Sequence, residues 1–353
     1  MKIYIQSAAA ISPHQTRDTG KLPADAPEHE ANMLSVVEPD YGGIIDAKVS
    51  RRMSRIIRMG VAAAIKCVRE AGQPHLDGIV MGTGYGCMED TDLFLGRLLE
   101  QNEEMLSPTS FIQSTHNTVG AQIALLMNCH AYNTTFVHRG FSFESALLDA
   151  KMLLQENPAA NILAGSADEI TEVSHFALKR LGMYKRVATA PGELFESDTR
   201  GTIAGEGTAF FLLSASPSDG CAAVLRDMHT FYGPANTADV EARIGRFLQA
   251  NSHTITDIDL VITGRNGDAT HDRVYETLAH GLLKNCASIN YKQLCGEYPT
   301  SSSFALWLAT SIVSTDPEPG APGYRQWERR PGCILIYNSY LNEYHSLMLV
   351  SKP

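Results

Sequence analysis

The segment His138-Arg139-Gly140-Phe141-Ser142-Phe143-Glu144-Ser145 gathers several reactive side-chain types where a strand should hand over to a helix. Residues 133–137, Asn-Thr-Thr-Phe-Val, form a β-rich run, and the apolar residues Ala146, Leu147, Leu148, Met152, Leu153 and Leu154 recur at helical spacing. A sharp turn of this kind presents a side chain at a helix N-terminus, where free N–H groups and the dipole favour a thiolate or an oxyanion. The residue at the turn is Gly140, which has no side chain to react. Ser142 and Ser145 lie close by, but a serine nucleophile needs an adjacent base and none is readable. Strand alternation puts His138 on the same face as Gly140, where a structural hydrogen bond is the expected role. His116, His271 and Cys295 are read as a loop or cap contact, a loop residue and a buried free thiol.

Composition narrows the function classes. The chain has 353 residues, 44% hydrophobic and 19% charged, with a formal charge of −10 and a pI near 5.6. That is a globular chain long enough for two domains or two fused halves. The acidic balance argues against a nucleic-acid partner, which draws on clustered Lys and Arg. The longest basic run, Arg51-Arg52-Met53-Ser54-Arg55-Ile56-Ile57-Arg58, reads as a solvated helix face, with docking of an acidic carrier protein as the sharper alternative. The seven cysteines are scattered without a CxxC pair, so reduced thiols in a cytoplasmic protein are expected, with no metal. No apolar run is long enough for membrane insertion, and residues 1–7 alternate like a strand rather than a signal peptide. Gly82-Thr83-Gly84-Tyr85-Gly86 lacks the spacing of a dinucleotide-binding loop and reads as a tight turn, so no cofactor is implied.

The elements that must position the turn alternate between strand and helix. Strands are expected at residues 2–5, 78–82, 134–137, 161–165 and 207–213, then at 222–228, 259–263, 333–337 and 346–350. Helices are expected at 54–71, 118–127, 145–154, 238–248 and 273–283, with Pro/Gly-rich loops after the first strand and at 316–324. This alternation marks an α/β architecture. The best internal boundary falls near 214–220, dividing the chain into 1–215 and 216–353.

Several segments, in order, resemble the β-ketoacyl synthases of the thiolase fold. Ile3-Tyr4-Ile5-Gln6-Ser7-Ala8-Ala9-Ala10-Ile11-Ser12-Pro13 resembles the family's opening strand and turn, and Val80-Met81-Gly82-Thr83-Gly84-Tyr85-Gly86 its strand and glycine loop. Asn117-Thr118-Val119-Gly120-Ala121-Gln122, Leu163-Ala164-Gly165-Ser166-Ala167-Asp168-Glu169 and Ala204-Gly205-Glu206-Gly207-Thr208-Ala209 are similar to further signatures. Tyr291-Lys292-Gln293-Leu294-Cys295-Gly296-Glu297 and Asn338-Ser339-Tyr340 resemble two segments of the second half more faintly.

The resemblance implies a thiolase-like α/β fold: two related α/β halves in a layered αβαβα arrangement, with a shortened C-terminal half. It also implies dimerisation through the strand at 134–137. The family's condensation uses a cysteine and two histidines. Carried over position by position, these fall on Gly140, Gly264 (Thr263 if the register slips by one) and Glu297; Lys292 is retained. No catalytic residue is therefore expected. Phe141, Phe143 and Tyr340 are the acyl-pocket candidates. The reading this supports is a catalytically silent subunit similar to the chain-length factors of type II polyketide and aryl-polyene systems, paired with a ketosynthase or with itself and meeting an acyl carrier protein. The alternatives are an active 3-oxoacyl-[acyl-carrier-protein] synthase with displaced residues, and a non-catalytic acyl-binding or regulatory homodimer.

Overall fold

The computed structural model describes residues 1–14, 32–72, 74–104, 106–315 and 330–353. The loop expected at 316–324 lies outside them, as does most of the loop after the first strand. Ten strands form one sheet: β1 Ile3–Ile11, β2 Gly78–Gly82, β3 Tyr132–Phe136, β4 Ile162–Asp168, β5 Gly207–Ser214, β6 Ala223–Tyr232, β7 Leu260–Thr263, β8 Ser288–Asn290, β9 Cys333–Tyr340 and β10 Tyr344–Ser351. The principal helices are α1 Arg55–Glu70, α2 Met88–Glu100, α3 Pro108–Gln113, α4 Thr118–Leu126, α5 Ser142–Glu156, α6 Glu172–Arg180, α7 Thr237–Ala250, α8 Arg273–His280 and α9 Ser302–Ser314.

The spatial order is β8-β7-β9-β10-β6-β1-β5-β4-β2-β3. Counted from its own first strand, each group of five has the order 3-2-4-5-1, with the same parallel and antiparallel neighbours. The two halves repeat one topology. Their sheets are not separate: the first strands, β1 and β6, pair antiparallel from Ile3↔Leu225 to Ile5↔Ala223.

The strands read as continuous apolar runs because both faces are covered, and strict alternation sorts their side chains. In β5, Ala209, Phe211 and Leu213 enter an inner core, while Phe210 and Leu212 enter an outer one. In β9, Ile334 and Ile336 face the inner core, and Leu335 and Tyr337 a second outer core. The inner core is filled by α5 and α9. Helix α9 is apolar nearly all round and packs on β1 and β5 of one half and on β6, β9 and β10 of the other. A helix of that character belongs between layers. Helices α1 and α4 cover the outer face of the first half, and α7 and α8 that of the second. Helix α7 is set by the Asn236 side chain, which accepts from the Asp239 N–H, and buries Val240, Ile244, Phe247 and Leu248 on one stripe. The five layers are α, β, α, β, α, as expected of a thiolase-like protein.

Several boundaries moved. The first strand runs on to Ile11, β3 covers 132–136 rather than 134–137, and α5 begins at Ser142, three residues earlier than periodicity placed it. The basic run at 51–58 is not one helix face. Arg51 and Arg52 lie in an exposed turn before α1, whereas Arg55 pairs with buried Glu206 and with Glu38, 3.0 Å away.

His345, on β10, stacks on Phe231 with 4.9 Å between ring centroids, and its Nδ1 lies 3.0 Å from the Tyr337 hydroxyl. Burial pushes its pKa down to about 4. The folded state therefore prefers neutral imidazole. The stability this contributes is complete above the unfolded value near 6.5 and is lost as pH falls through about 4, on the order of 3 kcal/mol in all. Urea unfolding of wild type and His345→Phe at pH 7 and pH 4.5 checks it: the stability lost between those pH values should be smaller in the variant, and equal losses would refute the assignment.

Candidate functional site

Gly140, the position the resemblance assigns to a nucleophile, lies where β3 runs into α5. A single 3-10 turn, Arg139–Phe141, joins them, with Gly140 buried at its centre. The strand ends at Phe136, so the expectation that His138 shares a strand face with Gly140 fails. The His138 ring instead stacks on Phe141, centroids 5.8 Å apart. Ser142 is occupied in holding the turn: its hydroxyl donates to the Arg139 carbonyl at 2.9 Å and accepts from the His138 N–H at 2.8 Å. Arg139 pays for the tightness of the turn with a left-handed backbone, φ 47°.

Position 140 has no room. A Cβ built there would lie 2.8 Å from Tyr340 Cδ1 and 2.9 Å from the Cβ atoms of both Tyr340 and Tyr344. Position 264, which follows β7, is equally crowded: a Cβ there would meet Asn338 Oδ1 at 2.5 Å and the Tyr275 hydroxyl at 2.8 Å. Those two groups are themselves fixed. Asn338 Oδ1 accepts from the Tyr291 hydroxyl at 2.8 Å, and the Tyr275 oxygen accepts from the Ser339 N–H at 2.7 Å.

At the third position the Glu297 carboxylate is clamped. Lys292 Nζ donates to its two oxygens at 2.6 and 2.5 Å, and Asn266 Nδ2 donates to Oε2 at 2.7 Å. Lys292 and Glu297 are both buried, and the strand-like backbone of Glu297 bonds Ile203 and Gly205. The ion pair fills the space with two charges that satisfy each other. It offers no free base.

A second buried carboxylate lies on α5. Glu144 Oε1 accepts from the Ser346 hydroxyl at 2.8 Å, and burial pushes its pKa up. Asp168, at the end of β4, joins the halves. It accepts from the Thr83 hydroxyl at 3.0 Å, the Gly84 N–H at 2.8 Å, and the Thr300 N–H and hydroxyl at 3.1 and 2.7 Å. Burial raises its pKa against those bonds. This is why the Gly82–Gly86 loop turns where it does.

The remaining candidates are placed elsewhere. His271 bonds the loop carboxylate of Asp268 through its backbone, and its Nδ1 lies 3.8 Å from the same carboxylate. His116 packs over Gly86. Cys295 is fully buried, and burial pushes its thiol pKa up, which suppresses the thiolate. Phe143, one of the pocket candidates, is buried in the inner core against Phe211, centroids 5.7 Å apart. Phe141 and Tyr340 do flank the elbow, joined by Tyr344, whose ring meets Phe141 edge-on at 5.1 Å. Tyr344, Tyr275, Asn266 and Glu144 were not picked out from the sequence. Tyr344 had one legible signal, its place four residues beyond Tyr340 across an Asn-containing turn.

The layered fold, with its repeated strand order, is thiolase-like, as in solved ketosynthase structures. Residues 27–190 match the sequence model of the β-ketoacyl synthase N-terminal domain. Among solved structures, the chain is similar to the ishigamide ketosynthase/chain length factor, at 15% identity and TM-score 0.75, covering 100% of this chain and 99% of that one. It is similar to the ketosynthase ApeO in complex with its chain length factor ApeC from Xenorhabdus doucetiae, at 14% identity and TM-score 0.74, covering 99% and 98%. It is also similar to AntDE:AntF, a type II PKS acyl-carrier protein in complex with its ketosynthase bound to the hexaketide, at 14% identity and TM-score 0.74, covering 100% and 99%. At these identities the likeness is one of fold. No curated protein matches the chain by sequence. Among the described residues, no helix is long and apolar enough to cross a membrane.

Proposed function

We propose that this chain is a catalytically silent β-ketoacyl synthase-like subunit. It pairs with an active ketosynthase and shapes the space into which an acyl or polyketide chain grows. The observation that carries the reading is that the three positions assigned to the Cys-His-His set are not merely substituted but filled. Tyr340 and Tyr344 crowd position 140, Asn338 and Tyr275 crowd position 264, and Lys292 neutralises Glu297. A site with a nucleophile displaced by a residue or two would keep a cavity at its centre.

Pairing is supported by the end of the sheet. Strand β3 is its last strand, and Phe136 O accepts from the Thr83 N–H, so the strand's alternate residues, Asn133 and Thr135, turn their backbone groups to the open edge. Leu125 on α4 and Leu148 and Met152 on α5, the helices flanking β3, are about half exposed or more. An open edge with apolar flanks needs a cover. The neighbour ApeO is a ketosynthase seen with its chain length factor, and AntDE with an acyl-carrier protein. By the same reading, exposed Lys48, Arg51 and Arg52 suit an acidic carrier protein, and both proteins work in the cytoplasm. We assign the halves to 1–215 and 216–353, the second being the shorter.

The test combines pairing with chemistry. The chain is produced alone and with candidate ketosynthases, exposed to acyl-loaded carrier protein, and analysed by intact and native mass spectrometry. The expected result is a heterodimer with the acyl group on the ketosynthase and none on this chain. An acyl adduct on this chain overturns silence, and a homodimer with every candidate favours the regulatory homodimer.

A further inference from the structure

We propose that the β9–β10 hairpin is a built-in plug, and that Tyr340 and Tyr344, reaching over from the second half, shut the elbow of the first. The hairpin closes at the pair Tyr340↔Tyr344, directly over Gly140. Two of the three closest atoms to a side chain at 140 are the Cβ atoms of these tyrosines. A Cβ cannot swing away by a change of rotamer, so the obstruction belongs to the hairpin backbone and not to flexible rings. The rings then brace it. The Tyr340 hydroxyl meets that of Tyr85 at 3.2 Å, and Tyr344 packs edge-on against Phe141 and against His138, 6.1 Å between centroids in the latter case.

The hairpin turn is tight, the Glu343 N–H donating to the Tyr340 carbonyl at 3.2 Å, which fixes where the plug sits. The turn that carries the plug places Leu341 at φ 56° and Asn342 at φ 54°. Asparagine tolerates this left-handed region, but leucine does not favour it. Arg139, on the facing side, is left-handed as well. With the hairpin withdrawn, the space beside Gly140 would be walled by Phe141 and His138, and its chemistry would suit an apolar chain.

This inference rests on the reading of Gly140 as a vacated seat, but its test uses neither partner nor acyl group, so the two fail separately. Gly140→Ala is compared with Gly96→Ala, where a Cβ meets nothing within 4 Å. Thermal unfolding and backbone hydrogen exchange are followed in the full-length chain. Gly140→Ala should lower Tm by several degrees and speed exchange across 340–344, whereas the Gly96 variant, an alanine gained inside an exposed helix, should raise Tm slightly and leave exchange at 340–344 unchanged. In the Tyr340→Gly/Tyr344→Gly background the penalty of Gly140→Ala should disappear. Unchanged Tm and exchange in Gly140→Ala would overturn the plug, and so would a penalty that persists without the tyrosines. If the glycine background does not fold, exchange at 340–344 in the single variant decides.

Discussion

Glu297→Ala is expected to cost the protein about 3–5 kcal/mol, because it strands the Lys292 ammonium in the interior with no counter-charge. Lys292→Met strands the carboxylate and should cost a similar amount. The double variant Lys292→Met/Glu297→Leu removes both charges at nearly constant volume and should recover most of the loss, since a buried ion pair is worth little against well-packed apolar groups. Urea unfolding of the four proteins measures the coupling. Single variants that each lose less than about 1 kcal/mol would show that water reaches the pair and that the site is open. The prediction bears on function. Under the proposed silence, Lys292 serves as a structural tie, holding Glu297 beside Asn266.

Thr135→Pro should weaken dimerisation by about ten- to a hundredfold while leaving the fold intact. Its N–H faces the open edge of β3 and not β2, so the proline ring removes a donor and adds bulk on the pairing side only. One lost backbone bond and an obstructed contact amount to about 1–3 kcal/mol. A partner heterodimer meets the substitution once, whereas a self-pair meets it twice, so sedimentation of each complex also separates the two assemblies. Thr134→Pro is the control: its N–H faces β2, and it should lower Tm directly. Unaltered dimer affinity in Thr135→Pro would move the interface off this edge.

The elements were legible because their periodicities are clean. Strand β2 stands where its Gly-Ile-Val-Met-Gly run placed it, and α1 fits its apolar stripe within a residue at each end. The joining of the halves was not, since β1 and β6 meet over three residues whose pairing is set by tertiary contact. At the assigned positions the letters Gly140, Gly264 and Glu297 could be read, but not what packs against them. Gly140 and Tyr344 lie some two hundred positions apart, and only the return of the last hairpin brings them together. Phe143 shows the limit from the other side: an aromatic three residues beyond Gly140 reads alike in a sequence whether it faces a tunnel or packs, as here, into the core.

The two ends of the ten-stranded sheet are unequal. At one, β3 offers five residues; at the other, β8 offers three, Ser288–Asn290. A sheet with two good ends has a valence of two and grows into a fibre, each copy templating the next. With one long edge and one stub among the described residues, pairing through β3 as proposed above would leave a valence of one and would stop at two chains. In an internally repeated topology the two edge strands are equivalent by position, so the difference in their lengths is what would keep such pairing from running on.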